Sequence, residues 1–350
     1  MKVRIKDIAG KANVSIGTVD RVMHNRGEVS SETRDRILQI IDEMHYKPDI
    51  LARTLKSKTS FRVAVIIPEG KRGNAFWEKP LKGIENAVEE ILPFELEVRY
   101  HLFDQFNKES FAEKSNQLLN DKPHGVLVAP VFYRETYSFL SQLKAMNIPF
   151  ILINSNINHP GQQCFIGQDS MQSGQVAARL MSYGLDTSSD VIIINIARDR
   201  DNYNHIKSRE EGFKEFFRQK EKLNKISLIR ENINSSDKNE LFKRLEKILL
   251  NGREAGGIFV TNSRVYAVAE FLEKNKLEYL KLIGYDLIDP NIEYLQKGII
   301  DFLISQKPEE QGYAGIMSLF NLLVMDRQPE PETYIPIDII TNENINYYIK

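Results

Sequence analysis

Cysteine is nearly absent: Cys164 stands alone in 350 residues, so no intrachain disulfide can form and nothing calls for an oxidising compartment. Long apolar runs are missing as well. The longest, at 63–68 and 191–197, fall far short of the roughly 20 residues that a bilayer-crossing helix needs. Met1-Lys2-Val3-Arg4 is basic, but Lys6, Asp7 and Lys11 break what a signal peptide would keep apolar, so the protein is expected to stay in the cytoplasm. The 6 histidines show no metal-ligand spacing, and there is no phosphate-cradling glycine loop. Ser141-Gln142-Leu143-Lys144 matches a Ser-x-x-Lys nucleophile pattern, yet it sits in an amphipathic helical stretch without companion motifs and reads as coincidence. Carboxylate pairs such as Glu89-Glu90 and Glu309-Glu310 read as solvated helix faces. An enzyme, a metal centre and a cofactor are therefore not expected. No heptad repeat follows the last strand-like run, which argues against assembly through a coiled-coil tail.

Charge is present but unevenly spread. The whole chain carries −1, whereas residues 1–60 hold 12 Lys/Arg against 8 Asp/Glu, leaving the remainder acidic. Only the amino-terminal part suits a polyanion. There Ile8, Ala9 and Ala12 share one helical face, Asn13-Val14 interrupts, and Ser15 can cap a second helix with Val19 and Val22 inward. This spacing predicts a helix-turn-helix, with Ala9 small where the helices cross and Asn13 tolerating a left-handed turn. A third amphipathic helix, capped at Ser30, brings Ile37, Ile40, Ile41 and Met44 to the same core. The second helix leaves Ile16, Gly17, Asp20 and Arg21 on a face that can enter a major groove. Arg21 is the candidate base reader, because arginine can pair with both O6 and N7 of guanine. Ile16 suits a thymine methyl, Gly17 permits close backbone approach, and Asp20 could accept from cytosine N4 or steer Arg21. Lys6, Ser15, Thr18 and Asn25 are expected to hold the DNA backbone.

Tyr46-Lys47-Pro48-Asp49 stops the helical pattern. From residue 61, strand-like runs fall at 63–68, 95–103, 125–130, 149–154, 191–197, 226–233, 257–261, 280–286, 301–305 and 334–341. Helical segments between them include 81–92, 108–119, 173–183, 209–217, 241–250 and 312–325. Such alternation predicts parallel, doubly wound α/β sheets with helices on both faces, and this many strands divide more naturally into two sheets than one.

The stretches Ile5-Lys6-Asp7-Ile8-Ala9, Ala12-Asn13-Val14-Ser15, Thr18-Val19-Asp20-Arg21-Val22, Val29-Ser30-Ser31-Glu32-Thr33-Arg34, Tyr46-Lys47-Pro48 and Leu51-Ala52-Arg53-Thr54-Leu55 resemble the lac repressor family of bacterial transcription regulators. That resemblance implies a repressor acting as a homodimer on a near-palindromic double-stranded operator. It divides the chain into a small all-α helix-turn-helix DNA-binding domain at 1–48, a hinge helix or linker at 49–60, and an effector-binding and dimerisation domain at 61–350. The hinge helix would fold on DNA and press Leu55 into the minor groove. Residues 61–350 resemble the periplasmic-binding-protein-like (type I) fold of ribose-binding and related sugar-binding proteins. In that fold two lobes are joined by three crossing strands, the second lobe starting near Asp169 and the chain returning to the first around 286–325. A carbohydrate effector is implied.

In open α/β sheets ligands bind beyond the carboxyl ends of the strands. Phe76 and Trp77 offer adjacent rings for the C–H faces of a sugar, although one of the two reads equally well as core at a helix start. Asn154, Asp169, Asn262, Asp286 and Gln306 match polar positions of the resembled family, and Arg209, three residues before Gly212-Phe213, matches its effector-binding arginine. An arginine in such a charged stretch is more often a solvated helix charge, and the Gly-Phe register favours a ligand contact instead, in which its fork could hold two hydroxyls or a carboxylate. Asn154-Ser155 stands where relatives carry Asp and Arg, and Ser263 where Asp is usual, which leaves the sugar open. Two other classes remain. A sugar-binding protein of a transport or sensing system fits 61–350 but has no use for the headpiece, and a DNA-binding enzyme acting on a metabolite lacks an acid, base and nucleophile set.

Overall fold

The structure, a computed structural model, describes residues 3–23, 27–44, 46, 60–70, 75–185, 189–196, 204–220, 223, 225–233, 237–250 and 255–349. The chain separates into two compact units, Met1–Thr59 and Ser60–Lys350. The expected hinge with Leu55, and Asn25, lie outside the described residues.

In the first unit, α1 (Ile5–Ala12), α2 (Ile16–Met23) and α3 (Ser31–Glu43) surround one small core. Each boundary has a local cause. The Asp7 carboxylate accepts the Arg4 N–H at 2.8 Å, Ser15 Oγ accepts the Thr18 N–H at 3.1 Å, and Ser30 Oγ accepts the Thr33 N–H at 3.4 Å, satisfying helix-start donors. Asn13 ends α1 at φ 53°, a left-handed conformation that asparagine reaches more cheaply than most residues. Ile8, Val19 and Ile37, one from each helix, are wholly buried, with Ala9, Ala12, Val22 and Ile40 around them. Each large side chain so buried stabilises the unit by roughly 1.5–3 kcal/mol.

The second unit holds two six-stranded sheets. The first contains β1 (Phe61–Pro68), β2 (Leu96–Phe103), β3 (Gly125–Val128), β4 (Phe150–Ile153), β5 (Cys164–Gly167) and β11 (Glu332–Tyr334). The second contains β6 (Asp190–Ile196), β7 (Leu228–Ile233), β8 (Ala255–Val260), β9 (Lys281–Tyr285), β10 (Phe302–Ser305) and β12 (Asp338–Ile340). The spatial orders, β11-β5-β4-β3-β1-β2 and β12-β10-β9-β8-β6-β7, are the same arrangement used twice. All neighbours are parallel except β10 and β12. Central strands such as Ile192-Ile193-Ile194 are apolar on successive residues because helices cover both faces. Among the described residues no helix is long and apolar enough to cross a membrane.

Three expectations need correction. The run at 334–341 is not one strand but β11 and β12, one in each sheet, because Pro336 lacks the N–H that a continuing ladder needs. Cys164-Phe165-Ile166-Gly167 is a strand that the alternation missed, too short to stand out between polar neighbours. The return to the first lobe comes after Ser305, later than residue 286, because Phe302-Leu303-Ile304 pairs beside β9 in the second sheet.

The chain thus crosses between lobes three times, from β5 into α7 (Ser170–Ser182), from β10 into α12 (Pro308–Leu323), and from β11 to β12. The buried Gln168 amide donates to the carbonyls of Ser305 at 3.0 Å and Pro336 at 3.5 Å, so one side chain ties all three crossings. In each lobe two helices cross through reciprocal glycines. A Cβ on Gly174 of α7 would overlap the Arg209 carbonyl of α8 (Asn204–Arg218), and one on Gly212 of α8 would overlap the Met171 carbonyl of α7. Gly83 of α4 (Glu78–Ile91) and Gly312 of α12 stand in the same relation to Glu309 and Pro80. Gly174→Ala gains helix propensity but forces α7 and α8 apart, so the second unit should lose about 1–3 kcal/mol, seen as a lower urea midpoint. An unchanged midpoint would mean that the helices separate freely.

Candidate functional site

In the first unit Lys6, Ser15, Ile16, Gly17, Asp20 and Arg21 are exposed and Thr18 is half-buried. Ile16, at 55% exposure, leaves an apolar side chain available to a partner on the same face as Arg21. Thr18 Oγ1 lies 2.9 Å from Ser15 Oγ at the start of α2.

In the second unit a cavity of about 90 Å³ lies between the lobes, beyond the carboxyl ends of the strands. Phe76, Trp77, Asn154, Arg209, Asn262, Asp286 and Gln306 line it. Asn154 and Asp286 follow β4 and β9, which hold the same place in the two sheets. Both adopt left-handed backbone, φ 70° and 71°, and their N–H groups donate to the Ile166 and Ile304 carbonyls at 3.2 and 3.0 Å. That conformation explains why short Asx side chains stand at both places.

Arg209 is 1% exposed. Its Nη1 donates to the Thr261 carbonyl at 2.8 Å, its Nη2 donates to Gln306 Oε1, and its guanidinium lies 3.8 Å from the centre of the Tyr285 ring. Gln306 Nε2 in turn donates to both Asp286 oxygens, at 3.0 and 2.8 Å. The Tyr285 hydroxyl is held 3.0 Å from Ser173 Oγ. Burial pushes the Asp286 carboxyl up to about 6, against the pull of Arg209 and the Gln306 amide. Burial, reinforced by the Arg209 charge, pushes His205 down to about 3. Trp77 Nε1 donates to Gln105 Oε1 at 3.1 Å, and the Phe76 and Trp77 rings meet edge to face at 5.0 Å. Asn262 braces the end of β6, donating to the Ile196 carbonyl at 2.7 Å and accepting the Arg264 N–H at 3.2 Å.

Ser141 has a histidine beside it, with Oγ 3.1 Å from His159 Nε2. The polarity is wrong for a nucleophile and base. His159 Nδ1 accepts the Gly161 N–H, which leaves Nε2 as the donor, and Ser141 Oγ spends its own proton on the Tyr137 carbonyl.

The family described as periplasmic binding protein domain matches residues 63–326, and the one described as bacterial regulatory proteins, lacI family, matches residues 4–49. The chain belongs to the periplasmic binding protein domain family and carries at its amino end a domain of the lacI family of bacterial regulatory proteins. It is similar to the ribose operon repressor of Halalkalibacterium halodurans, 27% identical over 311 residues that cover 85% of this chain and 86% of that one. It is also 27% identical to the regulator DegA of Bacillus subtilis over 185 residues, a stretch that spans 53% of either chain, about half of that relative's length. A crystal structure described as a LacI transcriptional regulator from Bacteroides fragilis superposes with a TM-score of 0.73 at 29% identity, covering 83% of this chain and 100% of that one. The glucose-galactose binding protein GanP of Geobacillus stearothermophilus shares the fold, with a TM-score of 0.73 at 20% identity over 82% of this chain and 99% of that one.

Within this periplasmic-binding-protein-like domain Asp169 departs from expectation. It does not line the cavity but caps α7, Oδ1 accepting the Gln172 N–H at 3.0 Å, a use that its position before a helix already favours. Gln105, Phe106, Pro130, Val131, His205 and Arg264 line the cavity and were not anticipated. The signal was available for most of them, since they follow the ends of β2, β3 and β8, where ligands of open sheets bind.

The two shifted groups titrate in opposite directions. Between the ordinary 3.8 and about 6 the folded chain keeps the Asp286 proton that the unfolded chain releases, so this contribution to stability falls as pH rises. His205 stays neutral when folded but takes a proton below its ordinary 6.5 when unfolded, so its contribution rises with pH from about 3 to 6.5. His205→Gln should therefore leave a second unit whose urea midpoint drops between about pH 4.5 and 6, and Asp286→Asn one whose midpoint climbs over the same range. Equal slopes in the two variants would refute the assignment.

Proposed function

We propose that this chain is a cytoplasmic transcriptional repressor that binds a near-palindromic operator as a homodimer and is controlled by a carbohydrate effector in the cavity of its second unit. The observation that carries the proposal is the presence on one chain of an exposed α2 face bearing Arg21 and Ile16 and a polar cavity between two lobes. In this reading Lys6, Ser15, Thr18 and Asn25 hold the DNA backbone, Ile16, Gly17, Asp20 and Arg21 face base edges, and Leu55 wedges the minor groove. Phe76, Trp77, Asn154, Arg209, Asn262, Asp286 and Gln306 hold the effector. Effector binding alters the angle between lobes, and residues 49–60 pass the change to the pairing of two headpieces. A difference of 1–3 kcal/mol between the two states would change operator affinity roughly 5–150-fold. The second unit acts as a sensor, so sugars incubated with the protein are recovered unchanged.

The experiment is a selection of genomic fragments by the purified chain, followed by anisotropy titrations with and without sugars that raise its melting temperature. A chain that preferred no fragment over bulk DNA in either state would overturn the proposal. Arg21→Ala should weaken operator binding by about 1–3 kcal/mol, some 5–150-fold, while changing random-duplex affinity far less. Equal losses on both would place Arg21 on phosphate alone.

A further inference from the structure

The charges around the cavity do not balance. Among the described residues its lining carries two guanidiniums, Arg209 and Arg264, against one carboxylate, Asp286. Among the described residues Arg209 has no carboxylate within ion-pair distance: its partners there are a backbone carbonyl, an amide oxygen and a ring face, and its buried Nε–H has no acceptor among them. A buried cation with an unused donor lacks part of its compensation. The one carboxylate nearby is already engaged, both oxygens accepting from the Gln306 amide.

Arg264 adds a second unbalanced cation. It stands immediately before α10 (Val265–Asn275), at the positive end of that helix's dipole. Its guanidinium lies 5.3 Å from the centre of the Phe106 ring, so a residue of the second lobe reaches a ring carried by the loop after β2 in the first. Stacking on a ring uses the flat face of the guanidinium and leaves its edge donors free. Among the described residues no carboxylate pairs with it. A neutral sugar fills hydroxyl-sized polar places but leaves this surplus charge uncompensated.

We propose that the effector is an anionic sugar derivative, carrying a carboxylate or a phosphate ester on a polyhydroxylated skeleton, and that Arg264 is the residue that selects for the anionic group. The proposal rests on the reading of this cavity as the effector site. Arg209 and Asp286 hold hydroxyls, the Phe76 and Trp77 side holds the carbon skeleton, and the edge of the Arg264 guanidinium meets the anion.

The test is calorimetric titration and thermal shift of the full chain with D-glucose and D-galactose, with D-gluconate and D-galacturonate, and with glucose 6-phosphate. At least one anionic probe should bind about tenfold or more tightly than its neutral counterpart, and that preference should shrink as salt is raised. Whether the acids or the phosphate ester respond separates the two sources of the anion. Arg264→Gln should remove the preference, lowering affinity for the anionic probe about tenfold while leaving the neutral counterpart within about twofold, and Arg264→Lys should restore part of it. Tighter binding of the neutral sugars, no shift with any anionic probe, or equal losses for both classes in Arg264→Gln would overturn the proposal. The underlying reading fails separately: it falls if a bound probe keeps its affinity in Arg209→Gln and Asp286→Asn, and it stands if those variants abolish binding of a neutral sugar that Arg264→Gln still binds.

Discussion

The arrangement of the cavity depends on keeping one guanidinium charged at 1% exposure. An arginine does not escape burial by losing its proton, so its surroundings have to supply acceptors and a polarisable face. Here they come from three neighbouring strands: the Thr261 carbonyl just past β8, the Tyr285 ring at the end of β9, and the Gln306 amide just past β10. Arg209 is therefore satisfied only when those strand ends stand in register, and its backbone is fixed from the other side by the glycine crossing with α7. Thr261 also serves the adjacent charge. Its hydroxyl donates to Asn195 Oδ1 at 2.7 Å, and the Asn195 amide donates to the buried Glu210 at 2.8 Å, which Lys214 and Arg230 also approach. Two buried charges of opposite sign, adjacent in sequence, are thus braced by the same residue.

Gln306 carries this arrangement across the lobes. It lies in the second crossing segment, and its backbone carbonyl accepts the Gln311 amide at 2.7 Å while Gln311 Oε1 accepts the Asn154 N–H at 2.8 Å. Asp286 and Arg209 in one lobe and Asn154 in the other are joined through a single crossing by hydrogen bonds no longer than 3.0 Å. A ligand that bonds to both sides acts on a segment whose two ends belong to different lobes, which is the geometry a two-state hinge requires. Lys307, next in the chain, sits at φ 48° and reaches Asp338 at 3.2 Å, tying this crossing to the strand that follows the third one.

Much of this was legible in the sequence, for physical reasons that differ by element. The first unit was readable because its signals are local: a cap at Ser15, a turn at Asn13 and a three-residue repeat of small and branched apolar side chains each act within one helical turn. The sheets were readable because strands covered on both faces must be apolar throughout. β5 and the split at Pro336 were not, since a four-residue strand carries too little pattern and the change of sheet is set by partners more than 100 positions away in the chain, such as Gln168 and Pro336. Asp169 shows the same limit at the cavity. A carboxylate beside a strand end can face the ligand or cap the next helix, and only the placement of α7 decides between them. Arg264 and Phe106 carry no motif, and only the closing of two lobes brings them together.

The doubled arrangement makes one further asymmetry informative. Pro80 and Arg209 are equivalent positions, each three residues before the glycine through which its helix crosses its partner, and each with its carbonyl against the partner's glycine. Asn154 and Asp286 are equivalent in the same way. At both places the second lobe carries a charge where the first carries a neutral side chain, and the first lobe instead contributes Phe76 and Trp77. Two lobes of the same strand order therefore present a ring-lined wall on one side and a charged, hydrogen-bonding wall on the other. A molecule with a C–H face and a rim of hydroxyls meets both walls in only one orientation, because turning it over would set its polar rim against rings and leave Arg209 facing carbon. The repeated strand order supplies the cavity, and the chemical difference between its halves would set the direction in which a ligand lies.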